Sequence, residues 1–224
     1  MTTGGGAQLL ELLLPAVVQV QTLRRPPGHP GLFPQEHELI AKAVAKRREE
    51  FAAVRFCARK ALRRLGFTPS PILTGDAGAP LWPEGVVGSM THCAGYYAAA
   101  VARAGEVTSL GIDAELDEPL PTGVFEVVAR SEEIADLRPR MTGAATVHWD
   151  RLLFSAKESL YKTWYPIARR WLDFTEARIT LRPDGTFTAE LLVDPLTVGT
   201  RRISHLDGRW ANHGGILVTA ITLP

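Results

Sequence analysis

The stretch Gly111-Ile112-Asp113-Ala114-Glu115 follows the segment Val107–Leu110 and alternates apolar with acidic residues from Ile112 onward. This alternation is typical of the end of a β-strand. Successive strand side chains point to opposite faces, so Asp113 and Glu115 are expected on the same face. Two carboxylates side by side are suited to a hard cation, and the alternative is a solvated strand edge.

A second stretch, Phe154-Ser155-Ala156-Lys157-Glu158-Ser159-Leu160-Tyr161-Lys162, has helical spacing. Its apolar stripe consists of Leu153, Ala156, Leu160 and Trp164. On another flank Glu158 and Lys162 are four residues apart and share a face with Tyr161. Taken alone, this pair is an ordinary surface ion pair. Together with the strand carboxylates it predicts a site for Mg²⁺, which takes few carboxylates and completes its shell with water and phosphates.

The composition indicates an ordinary globular protein. The chain has 224 residues, 46% of them hydrophobic, and a formal net charge of +1, which excludes no fold class but disfavours strongly basic or acidic partners. Cys57 and Cys93 both lie in apolar segments, so we expect neither a disulfide framework nor a zinc site, and a reducing, cytoplasmic location. The apolar run Leu9–Val20 contains Glu11 and is too short to span a membrane.

Turn residues divide the chain into segments of regular structure. The Pro/Gly-rich loop Arg25–Pro34 precedes a long helix predicted over Gln35–Leu65. An apolar hairpin is predicted over Val86–Ala102 and a strand over Thr108–Glu115. After helices that continue to Arg170, the last third is predicted as strands at Glu176–Leu181, Thr186–Val193 and Leu217–Leu223.

The two parts of the chain resemble each other. The segment 56–62 aligns with 154–160 position by position, and 92–95 aligns with 212–215 before a second apolar run. This repetition predicts a duplicated unit of helix, turn and strands, with halves at residues 1–116 and 117–224. Asp113 and Glu115 then come from the first half and Glu158 from the second, so the site lies in the cleft between them.

The helix segment Lys46–Arg64 contains eight basic residues and two acidic ones. A solvated basic face, a nucleic-acid contact and an arginine clamp for a phosphate monoester are all compatible with this pattern. Arg48 and Arg55, seven residues apart, share one face of the helix. The absence of interleaved aromatic residues argues against nucleic acid.

These residues together resemble the Sfp-type 4′-phosphopantetheinyl transferases, in particular the branch of the enterobactin-synthase component and the mycobacterial transferases. The likeness extends from about Leu9 to Leu223. It is carried by three motifs in order: Val87-Gly88-Ser89-Met90-Thr91-His92-Cys93, the Gly111–Glu115 stretch, and His148-Trp149 followed by Phe154–Lys162.

The resemblance implies a pseudo-twofold α+β protein of two similar halves that acts as a monomer. It also implies transfer of 4′-phosphopantetheine from coenzyme A to a serine of an acyl or peptidyl carrier protein, with release of 3′,5′-ADP. The implied metal is Mg²⁺ or Mn²⁺, and coenzyme A is the substrate. No nucleic-acid or membrane partner is expected.

The resemblance also assigns roles to individual residues. The implied metal ligands are Asp113, Glu115 and Glu158, and the implied catalytic residues are Glu158 and Lys162. The implied contacts to coenzyme A are Arg48, Arg55, Thr91, His92, Lys157, Tyr161 and Trp171. One position departs from the family, since related sequences often carry a lysine where this chain has Thr74.

Two other functions are compatible with the fold or the charge pattern. One is a catalytically silent regulator of the same fold that binds coenzyme A or a nucleotide, which the intact acidic motif argues against. The other is a nucleic-acid-binding protein that uses the Lys46–Arg64 helix.

Overall fold

The computed structural model describes residues 9–142 and 147–224, which form a mixed α+β fold. The helices are α1 (Leu9–Leu13), α2 (Pro34–Leu39), α3 (Ala45–Arg64), α4 (Val124–Val128), α5 (Ser131–Leu137) and α6 (Trp149–Ala168). The strands are β1 (Gln19–Leu23), β2 (Val86–Cys93), β3 (Tyr96–Arg103), β4 (Ser109–Leu116), β5 (Ala177–Leu181), β6 (Thr186–Leu191), β7 (Leu196–Val198), β8 (Arg201–Ile203), β9 (His205–His213) and β10 (Ile216–Leu223).

Two antiparallel sheets organise the molecule. The first has three strands in the order β1-β3-β2, and the second has five in the order β4-β10-β9-β6-β5. A further pair, β7 and β8, stands apart. The hairpin predicted over Val86–Ala102 is confirmed as β2 and β3, and the strand predicted over Thr108–Glu115 is confirmed as β4.

Three apolar cores lie between these layers. One is formed by α3 and the inner face of the three-stranded sheet, around Cys57, Ala58 and Leu62. Another lies between α6 and the five-stranded sheet and contains the whole predicted stripe of α6, from Leu153 to Trp164. The third joins the two sheets and includes Ile112 and Ala114 of β4. Both faces of β4 are therefore covered, which is why Asp113 is buried rather than at a solvated edge.

The strand β4 forms the seam between the two sheets. It is paired with β10 along its whole length, while its other edge faces β2. There the hydroxyl groups of Ser89 and Thr91 accept hydrogen bonds from the backbone amides of Ile112 and Ala114, at 3.1 and 3.0 Å. Side chains from β2 thus satisfy β4 amides that would otherwise be unpaired.

The predicted helix over Gln35–Leu65 is wrong in one respect, because the chain breaks between α2 and α3. The buried carboxylate of Glu36 accepts hydrogen bonds from Arg59 Nη1 at 2.7 Å and from the amides of Phe33 and Ile72, both at 2.9 Å. In one continuous helix Glu36 and Arg59 would be about 35 Å apart. The ion pair therefore requires α2 to fold back on α3. We call these four groups the Glu36 cluster.

A second cluster repeats this arrangement in the other part of the chain. Glu133, at the start of α5, accepts hydrogen bonds from the amides of Arg130 and Ile179 at 2.8 and 2.6 Å. Lys157 Nζ lies 2.8 Å from the same carboxylate. Lys157 aligns with the arginine of the Glu36 cluster in the sequence repeat. The matched contacts support the duplication, and the boundary at residue 116 remains a prediction.

The strand that carries Asp113 and Glu115, β4, packs against the helix that carries Glu158, α6. The predicted boundary assigns β4 to the first half, yet β4 is hydrogen-bonded to β10 and packs against α6. Asp113, Glu115 and Glu158 therefore lie on two elements that pack against each other, β4 and α6, while the division of the chain at residue 116 remains a prediction. The first half contributes β2, which brings Thr91 and His92 to the seam.

No helix within residues 9–142 and 147–224 combines the length and the apolar character needed to cross a membrane.

Candidate functional site

A cavity of about 670 Å³ opens at the seam between the two parts of the chain. Its walls are α3, the loop that joins α3 to β2, the outer part of β2, and the C-terminal half of α6. The lining includes Arg47, Phe51, Arg55, Thr74, Ser89, Met90, His92, Glu158, Tyr161, Lys162, Tyr165 and Arg169. The combination of basic, aromatic and acidic groups suits a large, partly anionic ligand.

Asp113 is not part of the cavity lining, is only 4% exposed, and is connected to the cavity through Lys162, which lines it. Its Oδ1 atom accepts hydrogen bonds from Lys162 Nζ at 2.7 Å and from Thr91 Oγ1 at 3.1 Å. Its Oδ2 atom is buried and accepts no hydrogen bond from the described residues. A buried carboxylate oxygen without a partner is unfavourable, so it is available to a cation.

Glu115 is the neighbouring carboxylate on the same face of β4. Its Oε2 atom accepts a hydrogen bond from Arg151 Nη1 at 3.0 Å. Burial, reinforced by the negative charge of Asp113, raises the pKa of Glu115 to about 7 although Arg151 opposes the shift. A positive charge placed between the two carboxylates would relieve this repulsion.

Glu158 and Lys162 project from α6 toward the same cavity. Burial raises the pKa of Glu158, while the charge of Lys162 opposes the shift. Burial alone would lower the pKa of Lys162, but Asp113 and the two glutamates outweigh it and raise that pKa. Lys162 therefore remains a cation among acidic groups.

Small side chains let α6 approach β4 closely enough to bring these groups together. A Cβ atom at Gly111 would lie 2.0 Å from the carbonyl oxygen of Ser159 and 2.5 Å from Thr163 Oγ1. Next to it, Ser109 Oγ donates to the carbonyl oxygen of Thr163 at 2.8 Å. Glycine at position 111 is thus a condition for the alignment of helix and strand.

Whether Asp113 and Glu115 can bind a divalent cation depends on which of their oxygens have no hydrogen-bond donor. Lys162 and Thr91 hold one oxygen of Asp113, and Arg151 holds one oxygen of Glu115. The other oxygen of each carboxylate accepts no hydrogen bond from the residues that the structure describes. Within residues 9–142 and 147–224, no three His, Cys, Asp or Glu side chains meet as a ready-made cluster of ligands. Mg²⁺ does not require one, because it is usually held by one or two carboxylates together with substrate phosphates and water. The paired carboxylates Asp113 and Glu115 therefore fit this ion.

The cavity lining also contains basic groups. His92 Nε2 lies 3.0 Å from Arg47 Nη1, and burial lowers the pKa of His92. Arg47 faces the cavity, whereas the predicted Arg48 is exposed and is not part of its lining. The role predicted for Arg48 remains a prediction.

Arg55 lines the cavity but is largely occupied by its own protein. It is 5% exposed and donates to the carbonyl oxygen of Ile72 at 2.9 Å and to Thr74 Oγ1 at 3.0 Å. Burial lowers its pKa to about 10, which leaves it charged at neutral pH. Thr74, the position that departs from the family, thus ties Arg55 to the loop that borders the cavity.

Tyr161 and Trp171 lie together at the edge of the site. Their ring centroids are 4.8 Å apart, and Trp171 is 63% exposed. Both line a small side cavity of about 70 Å³ next to Glu158. The Tyr161 hydroxyl is buried without a hydrogen-bond partner among the described residues. Their predicted contact with the pantetheine arm remains a prediction.

Lys157 and Lys162 make their contacts on different faces of α6. Besides Glu133, the Lys157 amino group donates to the carbonyl oxygens of Phe174 and Ala177, at 2.7 and 3.2 Å. Lys157 is 3% exposed and is absent from the lining of the large cavity. The structure therefore places Lys157 in a buried structural ion pair, and a contact with coenzyme A remains only a prediction.

Replacing Lys157 with methionine is expected to lower the free energy of unfolding by about 3–5 kcal/mol, because it leaves the buried charge of Glu133 unpaired. Urea denaturation measures the loss. The double variant Lys157→Met/Glu133→Gln should recover part of it. Equal losses in the single and double variants would show that the ion pair is not the cause.

Two residues of the site were missed in the sequence. Arg47, Phe51 and Arg55 recur every four residues, so a search for basic residues on the aromatic face of α3 would have selected Arg47. For Arg151 the sequence gives no signal, since its partner Glu115 is on a strand far away in the chain.

Two family models match the chain. Residues 35–102 match the family model described as "4'-phosphopantetheinyl transferase N-terminal domain". Residues 109–213 match the model described as "4'-phosphopantetheinyl transferase superfamily". The two matches divide the chain just before β4.

Three relatives illustrate the range of similarity. The chain is 55% identical to 4′-phosphopantetheinyl transferase Svp of Streptomyces mobaraensis over 193 residues, which cover 86% of this chain and 78% of Svp. It is 47% identical to 4′-phosphopantetheinyl transferase PptT of Mycobacterium tuberculosis over the full length of both chains. It is 34% identical to enterobactin synthase component D of Salmonella typhimurium over 60% of this chain and 55% of the relative.

Proposed function

The chain belongs to the 4′-phosphopantetheinyl transferase superfamily, and from that membership we propose that it transfers 4′-phosphopantetheine from coenzyme A to a serine of an acyl or peptidyl carrier protein. The observation that carries the proposal is the set of acidic and basic groups at one cavity. Two residues of α6, Glu158 and Lys162, line the cavity together with Arg47, Arg55 and His92, and the buried Asp113 accepts a hydrogen bond from Lys162.

In the proposed reaction the serine hydroxyl oxygen attacks the β-phosphorus of coenzyme A. A new phosphorus–oxygen bond forms to serine, and the bond from phosphorus to the 3′,5′-ADP oxygen breaks. Glu158 accepts the serine proton, directly or through water, and its raised pKa favours this role. Lys162 remains charged and neutralises the departing oxygen of 3′,5′-ADP.

We propose Asp113, Glu115 and Glu158 as the residues that hold the divalent cation. When bound, Mg²⁺ supplies positive charge to the diphosphate of the substrate. Thr91 and Lys162 orient Asp113 through one oxygen and leave the other for the ion. As in other phosphoryl transfers, positioning and charge stabilisation supply most of the rate.

We also propose an active monomer, because one chain supplies both walls of the cavity. The acidic residues come from β4 and α6, and the basic residues come from α3 and β2. No residue of a second subunit is needed to complete the set of proposed contacts.

Mass spectrometry of the carrier protein tests the proposal. The purified chain is incubated with coenzyme A, Mg²⁺ and apo carrier proteins of the acyl and peptidyl types. The expected result is that a carrier gains one phosphopantetheine group and that 3′,5′-ADP appears in equal amount. Tight binding of coenzyme A without modification of any carrier would instead favour the silent regulator.

Arg47→Ala is expected to weaken binding of coenzyme A by about tenfold, because it removes one charged hydrogen bond. Calorimetry with coenzyme A and with 3′-dephospho-coenzyme A shows whether the lost contact is to the 3′-phosphate. The neighbouring variant Arg48→Ala is the control, and its exposed position predicts a small effect. A larger loss for Arg48→Ala would place the phosphate on the other face of α3.

A further inference from the structure

We propose that Arg151 is a positioning residue that fixes the carboxylate of Glu115 for binding of the divalent cation. The inference rests on the proposed function, since it concerns how that site holds its metal. None of the motifs that identify the family includes Arg151 in a functional role, and its contacts alone point to this one.

All three nitrogen positions of the Arg151 guanidinium are engaged. Nη1 donates to Glu115 Oε2 at 3.0 Å, Nε donates to the carbonyl oxygen of Glu118 at 3.0 Å, and Nη2 donates to the carbonyl oxygen of Pro119 at 2.9 Å. The Arg151 side chain is 17% exposed. A planar fork held at three points has little freedom to turn, so the glutamate oxygen bound to it is fixed as well.

The arrangement at Glu115 parallels that at Asp113. At Asp113 the protein holds Oδ1 through Lys162 and Thr91, and Oδ2 accepts no hydrogen bond within the described parts of the chain. At Glu115 the protein holds Oε2 through Arg151, and Oε1 has no hydrogen-bond donor among those same residues. Each carboxylate thus presents one oxygen and has the other anchored, which suits two monodentate ligands of one ion.

Other contacts hold the turn after β4 without Arg151. Asp117 accepts hydrogen bonds from the backbone amide of His148 at 2.9 Å and from the side chain of Asn212. The amide of Leu120 donates to Asp150 Oδ2 at 2.8 Å. Since the turn is fastened on both sides of Glu118 and Pro119, we expect it to keep its course when Arg151 is replaced. The main consequence of such a replacement is then a mobile Glu115.

The test separates metal binding from catalysis and from folding. Mn²⁺ is titrated by calorimetry into the protein saturated with coenzyme A, in the absence of carrier protein, for the wild type, Arg151→Met and Arg151→Lys. Arg151→Met is expected to raise the Kd for Mn²⁺ by about 10–100-fold, the usual effect of removing a partner of a metal ligand. Arg151→Lys, which keeps the charge but not the fork, should fall between the two.

Transfer assays give a second readout. The Mg²⁺ concentration for half-maximal activity should rise in Arg151→Met in parallel with the Kd for Mn²⁺, while kcat at saturating Mg²⁺ stays within about threefold of the wild type. The control is Arg63→Met, which removes an exposed arginine of α3 and should change neither quantity.

Two results would overturn the inference. One is an unchanged Kd for Mn²⁺ in Arg151→Met. The other is a fall in both kcat and the melting temperature of Arg151→Met while its metal affinity is unchanged, which would show a purely structural role. If transfer by the wild type did not depend on a divalent cation, the metal part of the proposed function would fail as well, and that is seen before any variant is made.

Discussion

Asp113→Ala is expected to lower kcat/KM for carrier modification by at least about 10³-fold while the protein remains folded. Asp113 accepts hydrogen bonds from both Lys162 and Thr91, and its buried Oδ2 atom has no hydrogen-bond partner among the described residues. The substitution therefore removes a proposed metal ligand and releases the lysine proposed to neutralise the leaving group.

The matched variants separate charge from shape. Asp113→Asn keeps the size of the side chain but not its charge, and it should lose nearly as much activity. Glu106→Ala removes an exposed carboxylate of the turn before β4 and should retain full activity. Near-normal transfer by Asp113→Asn would show that the carboxylate acts only through its shape, and the metal-site account would then fail.

Gly111→Ala is expected to lower the free energy of unfolding by about 3 kcal/mol or more. The added methyl group would lie 2.0 Å from the carbonyl oxygen of Ser159, a backbone atom that cannot rotate away. Relief of this contact requires α6 to move from β4, which also separates Glu158 and Lys162 from Asp113. Activity should therefore fall even in the fraction that remains folded.

Gly105→Ala is the control for this variant. Gly105 has no heavy atom within 4 Å of the position of an added Cβ, and it stands in the turn that leads to β4. Chemical denaturation of both variants gives the difference in unfolding free energy. A difference below about 1 kcal/mol would show that helix and strand have room to adjust.

The parts of the fold that could be predicted from the sequence depend on local patterns. The alternation that ends in Asp113 and Glu115 identified β4, and the apolar stripe of Leu153 and Leu160 identified α6. In both segments the period of the apolar residues matches the period of the backbone. The repeat between the two parts of the chain pointed to the duplication that the Glu36 and Glu133 clusters support.

The parts that were missed depend on contacts between distant residues. The break before α3 is required by the ion pair between Glu36 and Arg59. These residues are far apart in the sequence, so a local sequence pattern does not reveal their contact. The strand β9 looks polar because Asp207 and Arg209 point outward, while Gly208 faces the ring of Phe187. Its only large apolar residues are Leu206 and Trp210, too few for a clear pattern.

The residues of the candidate site also differ in whether the sequence could identify them. Glu158 and Lys162 could be proposed because their spacing on a helix is regular and the family resemblance gave them a role. The contact of Arg151 with Glu115 and the position of Arg47 beside His92 arise from the packing of helices on sheets, so they required the structure. Arg47, one residue or about 100° around the helix from the predicted Arg48, is the arginine that lines the cavity together with Arg55, and the role of Arg48 remains a prediction.

The central claim is that Asp113, Glu115 and Glu158 hold one divalent cation at the cavity that binds coenzyme A. A crystal structure of the protein with coenzyme A and Mn²⁺, with the metal located by anomalous scattering, tests this claim most directly. We predict a single strong peak at bonding distance from Asp113 Oδ2, with Glu115 and Glu158 as the other protein ligands and the diphosphate of coenzyme A on its open side. A fully bound coenzyme A with no peak between these carboxylates, or with Mn²⁺ held elsewhere, would contradict the account.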